Sequence, residues 1–422
     1  MKSAVRGDGT KPPRARGRPW YWVALGVVLG VIALLTLRPT DANVVTNAAW
    51  CLICPLLSVR DIVLNVALFV PLGWCLARLR ISMSRVVMVG AALSLAIEIL
   101  QWLVIPGRDA SLLDIITNTM GAAIGGWMAP RVRQAIAPSR ASARALAIGW
   151  ATAWAVQLAV TSWSLAPDFP DARLYWGQWA HVFPTTVPFS GTVRSFRVNS
   201  LPIPDDSLAH QAALYSSLEA HGIHARLEIV QGHDVAGRAQ IAGLVDGKGN
   251  LLIGMMQDGC DYRFIVRMRG ERLGLNAPTA LFAGDCSHAG EPTTLEGDAS
   301  RRGLTLTLIR GPFSESAGAV LGVTSGWTLL APFDRMLRWE RSLSAIWALA
   351  WALPLAWWMA RSGFPRRLAG GLYWSTMLGL ALLTSKVSGL AGPGIPEIVG
   401  MVLASWPLFR DPRPLSGAGA WA

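Results

Sequence analysis

Long, nearly uninterrupted runs of apolar residues dominate both ends of the chain, and a stretch of alternating apolar and polar residues separates them. A helix that crosses the hydrocarbon core of a membrane needs about 20 mostly apolar residues, whereas a membrane-barrel strand alternates apolar and polar residues. The runs therefore predict about eight transmembrane helices. These lie at about residues 20–37, 62–79, 85–105, 112–129, 145–165, 343–360, 369–386 and 393–409.

The segment between the two groups of helices, residues 166–342, has a different pattern. Short runs with a period of two residues, such as ARLEIV and LTLTLIR, are separated by turn residues such as Asp246-Gly247 and Asp258-Gly259. Several short strands with turns of this kind predict an antiparallel β-sandwich. The expected fold class is an α-helical polytopic membrane protein with an inserted all-β, jelly-roll-like sandwich domain.

These patterns divide the chain into six parts. They are a basic tail at 1–19, a membrane domain of four spans at 20–135, a fifth span at 145–165, the sandwich at 166–342, three further spans at 343–409, and a second tail at 410–422.

Charge predicts how the chain is oriented in the membrane. The net charge is +12, from 38 Lys and Arg against 26 Asp and Glu, yet residues 166–342 carry 16 basic and 18 acidic groups. The basic excess thus lies beside the apolar runs and not on a polar folded face, which excludes nucleic acid as a partner. Short cytoplasmic loops are rich in Lys and Arg. With the N-terminus inside, the inner segments hold 18 such residues and the short outer loops 4, so both termini are expected in the cytoplasm and residues 166–342 outside.

The outer segment contains two features with chemical consequences. Cys260 and Cys286 both lie in it, and an oxidising compartment permits a disulfide between them. The aromatic cluster Tyr175, Trp176 and Trp179 fits stacking on a sugar ring, or packing of the domain onto the membrane surface, which is the favoured interpretation.

Acidic and amide side chains within the first four spans are the main candidates for function. Spans two and four begin alike, with DIVLN at 61–65 and DIITN at 114–118, and positions i and i+4 share a helix face. The candidates are Asp61 and Asn65, Glu98 and Gln101 on the third span, Arg108 in the loop that follows it, and Asp114 and Asn118. Ionisable groups inside a bilayer are costly unless they face one another or water, so their convergence suggests a functional site. The structural alternative is helix capping by the Asp residues together with interhelical hydrogen bonds.

The spacing of these residues resembles that of the VanZ-like family over about residues 20–135. The matching positions are Asp61, Asn65, Phe69, Pro71 and Gly73, then Ser94, Glu98 and Gln101, then Arg108, Asp114, Asn118, Gly121 and Gly125. The resemblance implies a protein of the bacterial envelope, in the inner membrane. The family's namesake is associated with low-level resistance to teicoplanin, a lipid-tailed glycopeptide. In the outer segment, NLLIGMMQDGCDYRFIVRM resembles laminin-G-like, concanavalin-type domains, which implies a carbohydrate- or envelope-facing binding domain.

Three functions remain open at this point. The first is an envelope protein whose polar intramembrane pocket engages a lipid-linked or glycan head group at the outer leaflet. In this interpretation Arg108 pairs with phosphate or carboxylate, and Asn65, Gln101 and Asn118 supply neutral hydrogen bonds. The second is an enzyme in which Glu98 and either Asp61 or Asp114 act as acid and base.

The third is a proton-coupled transporter that uses Glu98 as a relay. The expected partners are membrane lipid and an envelope glycan or lipid-linked saccharide. No metal motif accompanies the acidic residues, and no cofactor is expected.

Overall fold

The computed structural model describes residues 20–37, 50–51, 58–105, 110–169, 175–183, 186–208, 211–331 and 339–409. These residues form two compact units. The N-terminal unit comprises the described residues up to 132 except 58–63, and the large unit comprises 58–63 and the described residues from 133 onward. Both terminal tails, 1–19 and 410–422, lie outside the described residues.

The N-terminal unit is built mainly from helices. They are α1 (Trp20–Thr36), α2 (Val59–Arg78, whose first turn belongs to the large unit), α3 (Met83–Val104) and α4 (Leu112–Met128). Two short strands, β1 (Trp50–Cys51) and β2 (Ala110–Ser111), pair in parallel. The core holds apolar side chains such as Phe69, Leu72 and Ile97, but large apolar side chains such as Leu103 are also exposed. An apolar exterior is what contact with hydrocarbon requires.

Glycines let α2 and α4 approach each other at backbone distance. A Cβ atom on Gly121 would overlap the carbonyl oxygen of Val66, and one on Gly125 would overlap that of Val70. On the facing helix, a Cβ atom on Gly73 would overlap the backbone of Ala122. Small residues at membrane helix interfaces allow this close packing, which brings the polar side chains of neighbouring helices within hydrogen-bonding reach.

The helices of the large unit pack through tryptophan and alanine side chains. A short helix, α5 (Val132–Ile136), precedes them, and the others are α6 (Arg140–Ser164), α7 (Gln211–His221), α8 (Glu340–Arg361), α9 (Arg366–Ser388) and α10 (Ile395–Ala404). The α9 helix contains a π-helical turn at Ser375–Gly379. The indole of Trp150 on α6 donates to the carbonyl oxygen of Trp351 on α8 at 2.6 Å, and Tyr373 donates to the carbonyl oxygen of Met401 at 2.5 Å. These bonds tie α6 to α8 and α9 to α10.

Helices occupy each of the eight predicted apolar segments within the described ranges. Five of them, α2, α3, α6, α8 and α9, are long and apolar enough to cross a membrane by length and composition. The other three are shorter, with 17 residues in α1, 17 in α4 and 10 in α10. The five long helices confirm the prediction of apolar helices that could span a membrane.

The middle segment contains eleven strands within its described residues. They are β3 (Tyr175–Trp179), β4 (Thr192–Val198), β5 (Leu201–Pro202), β6 (Ile223–Val230), β7 (Val235–Asp246), β8 (Leu251–Gly259), β9 (Asp261–Val266), β10 (Ala280–Phe282), β11 (Pro292–Ser300), β12 (Gly303–Arg310) and β13 (Phe313–Val320). One sheet has the order β10-β9-β8-β7-β3 and the other β13-β12-β11-β6-β4-β5. Neighbouring strands are antiparallel throughout, as predicted for this segment.

The two sheets bury a common apolar core. Phe264 on β9 is wholly buried, and its ring fills the space that a side chain at Gly297 on β11 would occupy. Alternate residues of β6 point into this core, including the fully buried Ala225 and Leu227, as the period of two requires.

The structure also corrects the interpretation of one aromatic cluster. Tyr175 is fully buried in the core beside β7, so its assignment to the membrane surface is wrong. A strand with period two turns alternate side chains inward, and β3 turns Tyr175 inward. The indole of Trp179 donates to the carbonyl oxygen of Ile203 at 3.1 Å.

A disulfide joins Cys260, at the β8–β9 turn, to Cys286, with 5.3 Å between their Cα atoms.

Candidate functional site

Five polar side chains are buried on facing surfaces of α3 and α4. Their exposed fractions are 0% for Ser94, 1% for Glu98, 5% for Gln101, 3% for Thr117 and 3% for Asn118. On α3 the three residues are spaced by four and then three positions, which places them on one face of the helix. Burial of polar groups among apolar helices costs free energy unless each group finds a partner.

At the start of α4, Ser111 connects the carboxylate of Glu98 to the backbone of Asp114. Ser111 is the N-cap of α4, and its hydroxyl oxygen accepts a hydrogen bond from the backbone N–H of Asp114 at 3.4 Å. The backbone N–H of Ser111 donates to Oε2 of Glu98 at 2.8 Å. Glu98 therefore holds the backbone at the point where α4 begins, and Ser111 lies between Glu98 and Asp114 in the hydrogen-bond chain.

Asn65 extends this network to α2. Its amide nitrogen donates to Oδ1 of Asp114 at 2.9 Å and lies 3.4 Å from the hydroxyl of Thr117. Asn65, Asp114 and Ser111 are partly exposed, whereas Glu98 is not. We call Asn65, Glu98, Ser111 and Asp114 the helix-end cluster. Its accessible side is formed by Asn65, Ser111 and Asp114.

Two further amides lie next to the cluster. Asn118 donates to the hydroxyl of Ser94 at 2.9 Å, while its buried Oδ1 atom has no hydrogen-bond partner among the described residues. Gln101 donates to the carbonyl oxygen of Thr36 at 2.8 Å, and Thr36 is the last residue of α1. Because the last carbonyls of a helix lack intrahelical donors, Gln101 completes the end of α1.

The structure brings some of the predicted site residues together and separates others. Asn65, Glu98 and Asp114 form one hydrogen-bonded network, and Asn118 and Gln101 hold neighbouring helices. Asp61 belongs to the large unit, where its carboxylate accepts a hydrogen bond from Arg60 at 3.0 Å. Arg108 lies outside the described residues.

Sequence analysis did not select Ser111 as a site residue. The signal was present, because Ser followed three residues later by Asp, ahead of an apolar run, is typical of a helix N-terminus.

One group of possible metal ligands occurs among the described residues, namely Asp234, Cys260 and Cys286. The two cysteines form the disulfide, so they have no thiolate to offer a metal ion. The helix-end cluster contains oxygen and amide groups suited to hydroxyl, phosphate-ester or amide partners.

Within the described residues, the chain combines five apolar helices that could span a membrane with a β-rich region of two antiparallel sheets. Residues 21–133 match the model of the VanZ/LLP1 family, and this segment contains the whole helix-end cluster. The predicted VanZ-like resemblance of residues 20–135 is thereby confirmed. No curated protein and no solved structure matches the chain.

Proposed function

We propose that the VanZ-like segment binds the polar head group of an envelope lipid or lipid-linked glycan at the outer leaflet of the bacterial inner membrane. The observation that supports this most is the helix-end cluster. Two partly exposed polar side chains, Asn65 and Asp114, are held in place at a helix end by the buried Glu98 through Ser111. Polar and ionisable groups in membrane segments are mostly functional, because their burial is costly.

The members of the cluster would have different roles. Glu98 acts as a positioning residue, because its carboxylate accepts from the Ser111 backbone and fixes the start of α4. Asp114 and Asn65 would meet the hydroxyl groups of the head group, since both side chains are partly exposed. Arg108 is expected to pair with a phosphate or carboxylate of the same ligand. The excess of Lys and Arg on the inner segments supports an outer-leaflet location and cytoplasmic termini.

The β-rich domain would assist ligand binding as a lectin-like module that contacts the glycan. It contains a cavity of about 750 Å³ lined by Asp285, His288, Glu291, Arg310 and Phe313, among others. The Phe313 side chain is 50% exposed and so offers an apolar ring face beside carboxylates. A partly apolar cavity with a few convergent polar groups suits a small ligand such as a sugar ring.

The second candidate function is an enzyme that acts on the same lipid-linked glycan. It is favoured by two acidic residues at the start of α4, where the Glu98 carboxylate accepts from the backbone N–H of Ser111 and Asp114 lies in the first turn, because two carboxylates can divide the roles of acid and base. Under this alternative, Glu98→Gln abolishes turnover and leaves binding of a neutral glycan intact.

The binding proposal is tested by analysing what copurifies with the full chain. The protein is extracted from bacterial membranes into nanodiscs, and bound lipids and glycolipids are identified by mass spectrometry. We expect Asp114→Asn and Glu98→Gln to reduce the retained ligand by about tenfold, which corresponds to the loss of one charged hydrogen bond.

Glu397→Gln is the matched control, because Glu397 is also a carboxylate in the first turn of an apolar helix, and it lies in the other unit. Equal retention by all variants would contradict the proposal, as would wild-type protein that carries no specific lipid or glycan.

A further inference from the structure

A second cavity, of about 930 Å³, lies within the large unit at the ends of two candidate membrane-crossing helices. Ser162 and Trp163 come from the last turn of α6, and Ser388 is the last residue of α9. The β-rich domain contributes Arg269 and Arg301. Since both helices end here, the cavity is at the level where hydrocarbon gives way to lipid head groups. Its volume is within the range of small-molecule sites, which is about 300–1,000 Å³.

Among the described residues that line the cavity, Arg269 and Arg301 are the only charged ones. Neither forms an ion pair with any residue in the described part of the chain, and both are exposed. Arg301 donates one hydrogen bond, at 3.3 Å, to the carbonyl oxygen of Ser388 and retains its other N–H groups.

Two nearby arginines in the same domain behave differently. Arg267 and Arg272 both pair with the carboxylate of Asp168, which is 4% exposed. Arg267 and Arg272 thus have a counter-charge in Asp168, whereas no residue in the described ranges supplies one to Arg269 or Arg301.

The serine hydroxyl groups that line the cavity already donate hydrogen bonds within the protein. Ser162 and Ser388 each donate to a carbonyl oxygen one turn earlier in their own helices, at 2.8 Å. Ser300 donates to the carbonyl oxygen of Gly303 at 3.2 Å. The guanidinium groups are therefore the principal donors left for a ligand, and their planar geometry matches the oxygens of a phosphate.

The rest of the lining is apolar or aromatic. It includes Leu165, Phe169, Leu218 and Leu390. The Trp163 side chain is 42% exposed, and tryptophan prefers the membrane–water interface. A charged end next to an apolar wall fits an amphiphile better than a free ion.

We propose that this cavity binds the phosphate ester of an anionic membrane lipid. Arg269 and Arg301 hold the phosphate, and the apolar wall receives the glycerol backbone and the first part of the acyl chains. The site is separate from the helix-end cluster and does not depend on the function proposed for it. The alternative is that Arg301 only completes the C-terminus of α9, where a cation is favourable in any case.

The test is lipid retention by the full chain in nanodiscs of phosphatidylcholine with phosphatidylglycerol, followed by native mass spectrometry. We expect the double variant Arg269→Gln/Arg301→Gln to retain phosphatidylglycerol about tenfold less well than wild type, because charged hydrogen bonds are lost. Arg302→Gln is the matched control. Arg302 is the next residue in the same turn and equally exposed, but it does not line the cavity.

Conservative variants and a soluble competitor complete the design. Arg269→Lys/Arg301→Lys should retain more phosphatidylglycerol than the Gln pair, since the charge remains. Glycerol phosphate in solution should fail to displace the lipid; displacement would overturn the assignment to a lipid in favour of a soluble phosphate ester. The site itself would be overturned by any of three results. The double variant could retain as much phosphatidylglycerol as wild type, it could lose no more than Arg302→Gln does, or wild type could retain phosphatidylcholine as well as phosphatidylglycerol. Glu397→Gln, which changes a carboxylate that belongs to neither proposed site, should leave this retention unchanged.

Discussion

The helix-end cluster and the β-rich domain both bury carboxylates, but they satisfy them in different ways. In the β-rich domain, Asp246 accepts hydrogen bonds from Lys248 and Asn250 in its own turn. In the N-terminal unit, Glu98 and Asp114 accept from a backbone N–H and an amide that lie on other segments of the chain. Asp246 therefore stabilises a local turn, whereas Glu98 and Asp114 join separate segments of the N-terminal unit.

The two regions also differ in how their cores are packed. The sandwich core is filled by large side chains such as Tyr262 and Phe264, both fully buried. The helices α2 and α4 instead approach through Gly73, Gly121 and Gly125. Lipid is as apolar as a leucine side chain, so helix association in membranes depends on close packing and hydrogen bonds and gains little from burying apolar surface. The comparison predicts that glycine substitutions destabilise the N-terminal unit most. Substitutions that remove a charge or the disulfide should destabilise the β-rich domain most.

The largest effect is expected for Gly125→Leu, because its side chain would force α2 and α4 apart at Val70. We expect the free energy of unfolding to fall by more than about 3 kcal/mol, at the upper end of the cost of overpacking. The measurement is the thermal unfolding midpoint of the protein in nanodiscs, which should fall accordingly. Gly149→Leu on α6 is the matched control, since a Cβ atom there meets nothing within 4 Å. Equal destabilisation by both substitutions would show that the close approach of α2 and α4 is unimportant.

Removal of the disulfide should cause the second-largest loss of stability. The pair Cys260→Ser/Cys286→Ser opens a loop with a sequence separation of 26 residues. We expect the β-rich domain to lose about 3 kcal/mol of stability through the greater entropy of the unfolded chain. Thermal unfolding of wild type with and without a reductant provides the same comparison. An unchanged midpoint in both experiments would contradict the prediction.

Asp168→Asn should have a smaller effect that depends on pH. Burial alone would raise the pKa of Asp168, but hydrogen bonds and charge from Arg272 and Arg267 outweigh it and hold the pKa below its usual value. The carboxylate therefore stabilises the fold above the unfolded pKa of about 4, and this contribution is lost as pH falls through the lower, folded pKa.

At neutral pH we expect Asp168→Asn to lower the free energy of unfolding by about 2 kcal/mol. The loss is smaller than for a fully buried ion pair, because Arg272 is half exposed. Unfolding of wild type and variant measured from neutral to strongly acidic pH should show their stabilities converging at the acidic end. A constant difference across the range would be inconsistent with the pKa assignment.

The smallest effect is expected for Asn118→Ala. It removes one interhelical hydrogen bond, to Ser94, and interhelical bonds of this kind contribute about 0.6 kcal/mol in membranes. Ser94→Ala should have a similar effect, and the double variant should add little to either single variant. Additive losses in that double-mutant cycle would mean that the two side chains act independently.

Much of the architecture could be predicted from hydrophobic periodicity. Apolar runs identified the helices, and alternating runs identified strands such as β6 and β12. The strand β11 was harder to recognise, because its inward positions include Thr293, Gly297 and Ala299, which are small or polar. Gly297 is required there by the ring of Phe264, a contact from a distant strand that local sequence does not reveal.

The candidate site could be predicted in part. The repeated Asp and Asn spacing identified the polar residues of α2 and α4, and Asn65 contacts Asp114. The same repeat suggested equal roles for Asp61 and Asp114. The two differ because Asp61 follows Arg60, which pairs with it directly, whereas Asp114 follows Leu113 and turns to Asn65.

The central claim is that the helix-end cluster is a ligand site in the membrane, and an electron cryomicroscopy map tests it most directly. The full chain would be imaged in nanodiscs formed from its native membrane. The account predicts non-protein density within hydrogen-bonding distance of Asp114 and Asn65, with Glu98 still bonded to the Ser111 backbone. A well-ordered map in which the helices close around these side chains with no such density would contradict it.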